Sequence, residues 1–256
     1  MRFYLGYINH LVSLQKKSAR LVRQAGFTIT EVLLASAMMV IVISVAGDAL
    51  INLLRSNYRA NAGTEIQNNL NRTLEFVSDE VRRAKTIADS EAAITSTQVP
   101  TGARAVLAFQ IPNPDNPSQL LPDQIVYYTE NSRTGDSLTG PRVLWRYGPN
   151  LDEDGNYDIT SSWQHSPVTD RLADATNNQG RYNCDPFQTD IEIPTGWKRI
   201  PAVRGEVEGF YVCVRNGGGQ VILNANAEVE MTTVTNENRD KVKYSVSTRV
   251  SPRATD

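Results

Sequence analysis

The sequence predicts an α+β fold, a long N-terminal α-helix packed on a mainly antiparallel β-sheet. Three observations predict it. An apolar run free of Lys and Arg covers residues 24–54. Beyond it, Ile66, Leu70, Leu74, Val77, Val81, Ala84 and Ala88 recur at steps of three and four, the stripe of an amphipathic helix. From about Ala103 onward the period shortens to that of strands.

The first element is a leader, residues 1–26, with five cations (Arg2, Lys16, Lys17, Arg20, Arg23) and no acid. Cations placed before an apolar run stay on the cytoplasmic side, so everything after Leu54 is sent across the membrane. Residues 27–54 form the spanning element. Twenty of them, 27–46, make about 30 Å of helix, enough to cross a bilayer. Two other readings of this region remain open. Ser44-Val45-Ala46 is a small-x-small site at which a signal peptidase could cut before Gly47, and the run could be a plain signal anchor.

The amphipathic element spans residues 55–90, with the helix expected to reach about Lys85. Gly63 is its expected weak point, because glycine inside a helix costs about 1 kcal/mol relative to alanine. Residues 91–256 form the globular domain. Strands are expected over 105–111, 124–130, 142–147, 207–215, 220–224, 227–234 and 241–250, with Asn216-Gly217-Gly218-Gly219 as a tight hairpin connection. Residues 148–200, rich in Asn, Asp, Pro, Ser and Gly, are expected to be a long variable loop excursion.

Charge narrows the function. The whole chain has a formal charge of -2, and without the five cations of the leader it becomes about -7. An acidic body of this kind argues against non-specific nucleic-acid binding, which needs clustered cations to neutralise phosphates, so no nucleic-acid partner is expected. Within the apolar run stands Glu31. An ionised carboxylate in hydrocarbon costs a few kcal/mol and marks a functional site whose partner has to be named. The nearest cation that can be made is the α-amine created by cutting after Gly26, which would leave Phe27 first and Glu31 four residues on. That amine could belong to the same helix or to a neighbouring copy offset along the axis.

Gly26-Phe27-Thr28-Ile29-Thr30-Glu31, followed by Val32-Leu33-Leu34-Ala35, resembles the class III signal of type IV pilins and type II secretion pseudopilins. The likeness covers residues 20–55. It implies that a prepilin peptidase cuts between Gly26 and Phe27 and methylates the amine of Phe27, and that Glu31 docks the subunit into a growing helical filament. Thr30 departs from the aliphatic residue usual there, and Asp48 lies near where many major pilins carry a proline. The stretch from Asn71 to Ala84 looks like the W-type or J-type minor subunits. Residues 145–157 look similar to pseudopilins of cyanobacterial hormogonium polysaccharide secretion. The resemblance implies a minor pilin or pseudopilin, single-pass in the inner membrane with its globular domain periplasmic, then assembled into a pilus or pseudopilus. Its partners would be prepilin peptidase, other pilin subunits and an inner-membrane assembly platform. The alternative is an adhesin or calcium-dependent glycan-binding module that uses the filament or the membrane as its anchor.

Asp152, Asp154, Asn156 and Asp158 place oxygen side chains at alternate positions, the spacing by which a loop can wrap Ca²⁺. Tyr157 stands where an EF-hand needs glycine and Trp163 where it needs a bidentate Glu, so a solvated turn capped by Asp side chains is the other reading. Cys184 and Cys213 could be bridged, or Cys213 could be a small buried residue on its strand; their spacing has no zinc signature. Catalysis has little footing, and the chain is expected not to be an enzyme. His165 is the sole histidine after the leader, is expected to sit in an exposed loop, and no nucleophile or phosphate motif accompanies it.

Overall fold

The computed structural model describes residues 26–132, 137–175, 184, 193–230 and 241–253. They fall in two compact units, Met1–Ser56 and Asn57–Asp256. One helix, α1 (Ile29–Arg83), supplies residues to both. In the first unit every large apolar side chain of α1 is exposed, Ile29 at 80% and Leu33 at 62%. That stretch is long and apolar enough to cross a membrane.

In the second unit α1 turns its stripe inward. Ile66, Leu70, Leu74, Val77 and Val81 are buried, and Ala84, one residue past the helix, joins them. All seven residues of the predicted stripe are buried, Ala88 in a separate small cluster with Ala108 and Val126. The helix ends at Arg83, so residues 84–90 lie outside it rather than within the amphipathic element.

The strands are β1 (Thr86–Ile87), β2 (Arg104–Gln110), β3 (Pro112–Asn113), β4 (Asn116–Leu120), β5 (Ile125–Asn131), β6 (Arg142–Gly148), β7 (Asn150–Leu151), β8 (Tyr157–Asp158), β9 (Gln164–Leu172), β10 (Trp197–Ile200), β11 (Phe210–Arg215), β12 (Val221–Glu230) and β13 (Lys241–Val250). Nine of them make one antiparallel sheet in the order β1-β2-β5-β6-β9-β12-β11-β10, with β13 also on β12. β3 with β4 and β7 with β8 form small separate hairpins. The α+β class is thus as expected.

Three expectations need correction. The predicted loop excursion of 148–200 contains β9, which pairs with β6 along most of its length and reaches β12 at Leu172↔Ala227, joining the two halves of the sheet. Its polar, proline-containing sequence reads as loop, and its pairing with β6 carries two register irregularities. The segments expected as two strands between 220 and 234 are one strand, since β13 pairs with β12 without a break from Val221 to Glu230. Gly63 is not a weak point. It is buried within unbroken helix, and a β-carbon built there would stand 2.2 Å from the hydroxyl of Tyr244. The missing side chain admits β13 to the helix surface.

A second glycine makes the sheet junction. At Gly209 three segments meet: Ala173 N donates to Asn226 O at 3.0 Å, Gly209 N to Ala173 O at 2.6 Å, and Asn226 N to Gly209 O at 2.5 Å. A β-carbon on Gly209 would lie 2.4 Å from Ala173 N. No other residue type fits there without moving backbone.

At the centre of the helix-sheet contact is an ion pair. Glu80, 3% exposed, meets Arg146, 5% exposed. Arg146 Nε donates to both carboxylate oxygens at 3.0 and 2.8 Å, Nη2 to Oε1 at 2.7 Å, and Nη1 to the carbonyl of Pro149 at 3.0 Å. The hydroxyl of Tyr127 donates to Glu80 Oε2. Burial and then the Glu80 charge hold the Tyr127 hydroxyl well above its ordinary pKa, so it remains a donor. Burial works against the Arg146 charge, but Glu80 outweighs it and the guanidinium stays ionised. At the end of α1, Arg83 donates to the carbonyl of Gly155 at 2.5 Å and lies over the Tyr157 ring, fixing the β7-β8 hairpin.

Two outcomes are expected in urea unfolding followed by tryptophan fluorescence. Glu80→Gln costs about 3 kcal/mol, because it leaves a buried guanidinium uncompensated, whereas Glu80→Leu with Arg146→Met costs much less. Gly63→Ala is destabilising in the native background but stabilising, by up to about 1 kcal/mol, once Tyr244→Ala has cleared the space.

Candidate functional site

The strongest site marked by the sequence is the start of α1. Gly26, Phe27 and Thr28 precede the helix without regular structure, and all three are exposed. No atom lies within 4 Å of where a Gly26 β-carbon would be, and Phe27 is 85% exposed. Among the described residues, the Gly26-Phe27 peptide bond takes no part in the helix.

Thr28 is the residue that starts the helix. Its carbonyl accepts the first helical bond, from Val32 N at 3.2 Å. Its side-chain oxygen accepts from Glu31 N at 3.3 Å. In return Glu31 Oε2 accepts from Thr28 N at 3.0 Å and from the Thr28 hydroxyl at 3.0 Å. This is a capping box, with Thr28 at the N-cap and Glu31 at the third helical position. Glu31 is thereby given a local role that sequence reasoning missed. The signal was present in Thr28-Ile29-Thr30-Glu31 ahead of an apolar run. The box occupies Oε2 alone; no described hydrogen bond reaches Oε1.

The other candidates lie in the second unit. Asp152 Oδ1 accepts from the backbone of Asp154 at 3.0 Å and of Asn156 at 2.7 Å, while Asp158 Oδ1 accepts from Thr160 and Ser161. The two carboxylates serve separate sets of partners in capped turns, and Asp154 makes no described side-chain contact to either. Among the described residues no group of three or more His, Cys, Asp or Glu is placed to hold a metal ion. The backbone of Asn156 holds Asp152 below the ordinary Asp range, and the Thr160 hydroxyl does the same for Asp158. Cys184 and Cys213 form a disulfide. His165 is exposed but lies in β9 rather than in a loop, and its Nδ1 is 2.9 Å from the Tyr128 hydroxyl. Tyr147 and Tyr128 flank it, and none of its described contacts is to a serine or a cysteine.

No family model, no curated protein and no solved structure matches this chain.

Replacing Thr28 by Ala is expected to weaken the helix start by about 1 kcal/mol. Amide exchange at residues 29–32 then speeds up several-fold in detergent micelles, with residues 70–80 unchanged. Acid acts on the β7-β8 turn with a defined sign. Folded carboxyls with lowered pKa stabilise it fully above the ordinary Asp value, and the contribution fades as pH falls through the folded values. Carboxyl chemical shifts of Asp152 and Asp158, followed on acidification, are expected to titrate below those of a free Asp.

Proposed function

We propose that this chain is a pilin-like filament subunit, a minor pilin or pseudopilin of a type IV pilus or a type II secretion-like pseudopilus. The observation that carries the reading is a coincidence at one point of the chain. An accessible Gly26-Phe27 bond immediately precedes a helix whose third residue is Glu31 and whose first stretch is apolar and exposed. The α+β unit beyond it, with the later part of the same helix in its core, is the architecture such subunits need.

On this reading prepilin peptidase hydrolyses the Gly26-Phe27 bond, and the freed amine of Phe27 is methylated. The new cation stands one residue before the N-cap. Glu31 remains held through Oε2 by Thr28, so Oε1 is presented in a fixed direction to the amine of a neighbouring subunit. In hydrocarbon that contact relieves two uncompensated charges at once. The exposed apolar face of α1 is first solvated by the inner membrane and then by other subunits on an assembly platform. The globular unit faces the periplasm. The role is one of packing and needs no turnover. Sequence likeness points to a W-type or J-type minor subunit.

The test is mass spectrometry of the amino terminus after expression with and without a prepilin peptidase. A methylated Phe27 terminus that appears only with the peptidase is expected. A terminus at Gly47, or an intact leader in both cases, would overturn the reading.

A further inference from the structure

Between α1 and β9 the helix does not seal the sheet, leaving a cavity of about 650 Å³, the size of a small-molecule site. Apolar side chains line it, Phe76 on α1, Leu151 on β7 and Val168 on β9. Neutral hydrogen-bonding side chains line it as well: Asn69, Asn150, Ser166 and Thr169. Amides and hydroxyls of this kind both donate and accept, as a ligand rich in hydroxyls requires.

Besides Arg72, the charged residues lining the cavity are Arg146 and Asp170, and each has a described partner. Arg146 is neutralised by Glu80. Asp170 Oδ2 accepts from the backbone and hydroxyl of Thr139, both at 2.9 Å. Arg72 is the exception. It lines the cavity, is exposed, and takes part in no ion pair among the described residues, although Glu75 lies three positions on. One unpaired guanidinium in an acidic chain suits a single carboxylate, and a fork of donors binds that group in two-point fashion. A phosphate dianion would call for more than one cation.

A peptide strand is the competing occupant, because β9 has a ladder on its second edge only at Leu172. That edge is poorly built for strand addition. Pro167 lacks the amide hydrogen that an added ladder would use. We infer that the α1-β9 cavity binds a uronic acid unit of a saccharide, with the carboxylate on Arg72, hydroxyls on Asn69, Asn150, Ser166 and Thr169, and the ring's C–H face on Phe76.

The test uses the full chain in detergent micelles, titrated with digalacturonate and with its neutral galactose counterpart, read by amide chemical shifts and calorimetry. Digalacturonate is expected to saturate and to shift Thr73, Asn150 and Thr169, with the neutral sugar at least tenfold weaker. Arg72→Gln lowers acidic-sugar affinity about tenfold without changing the melting temperature, since Arg72 is exposed. Ser166→Ala gives an independent, smaller loss for both sugars. Absence of saturation, equal binding of the two sugars, or an unaffected Arg72→Gln variant overturns the inference. So does equally tight binding of acetyl-triglycine, which would show that the carboxylate alone is read.

Discussion

α1 carries two apolar surfaces that one environment cannot satisfy. From Ile29 to Leu54 its side chains are exposed, and no described protein surface covers them. From Ile66 to Val81 a stripe of the same helix is buried in the sheet domain at 3% exposure or less. Burial of the second surface contributes to folding of the unit 57–256 in the ordinary way. Among the described residues nothing covers the first surface, and lipid or other apolar helices are coverings of matching chemistry. Everything functional in the proposal follows from that division, because a single covalent helix obliges whatever holds its first stretch to carry the second unit along.

The polar groups on α1 divide in the same manner. Glu80 is fully matched by Arg146 and Tyr127, a closed arrangement that fixes which residues of the helix face the sheet. A buried pair of this type is weak evidence for net stability and better evidence for register, since a slip of one residue would strand both charges. Glu31 is half matched. Thr28 engages one carboxylate oxygen and orients the group, and no described hydrogen bond reaches the other.

Much of the helix was legible in the sequence because its stripe is strictly periodic; every predicted residue from Ile66 to Ala88 is buried. Strands β2, β5, β6, β11 and β13 were legible for the same reason, being rich in β-branched and aromatic residues. β9 was not, because Gln164-His165-Ser166-Pro167 has the composition of a turn and is held as a strand by its neighbour β6. Gly63 was misread because propensity speaks only of the helix, while its use lies in the approach of Tyr244 from a strand 181 positions later. Glu31 stood out in the sequence as a lone acid, yet its capping partner Thr28 was overlooked. Glu80 was overlooked too, although it falls seven residues after Thr73 and fourteen after Ile66, on the buried face. A charge at such a position signals a buried partner, but nothing in the sequence singles out Arg146 as that partner.

The central claim is that the free oxygen of Glu31 meets the amine of a neighbouring subunit. Incorporation of a Glu31→Gln variant, co-expressed with the unaltered chain and carrying a mass label, measures this directly in sheared filaments. Glutamine keeps the size of the side chain and a capping acceptor for Thr28 but removes the charge. The account predicts a variant that is cut and methylated at Phe27 yet depleted at least tenfold from the filament fraction. Equal incorporation of the two forms would contradict it.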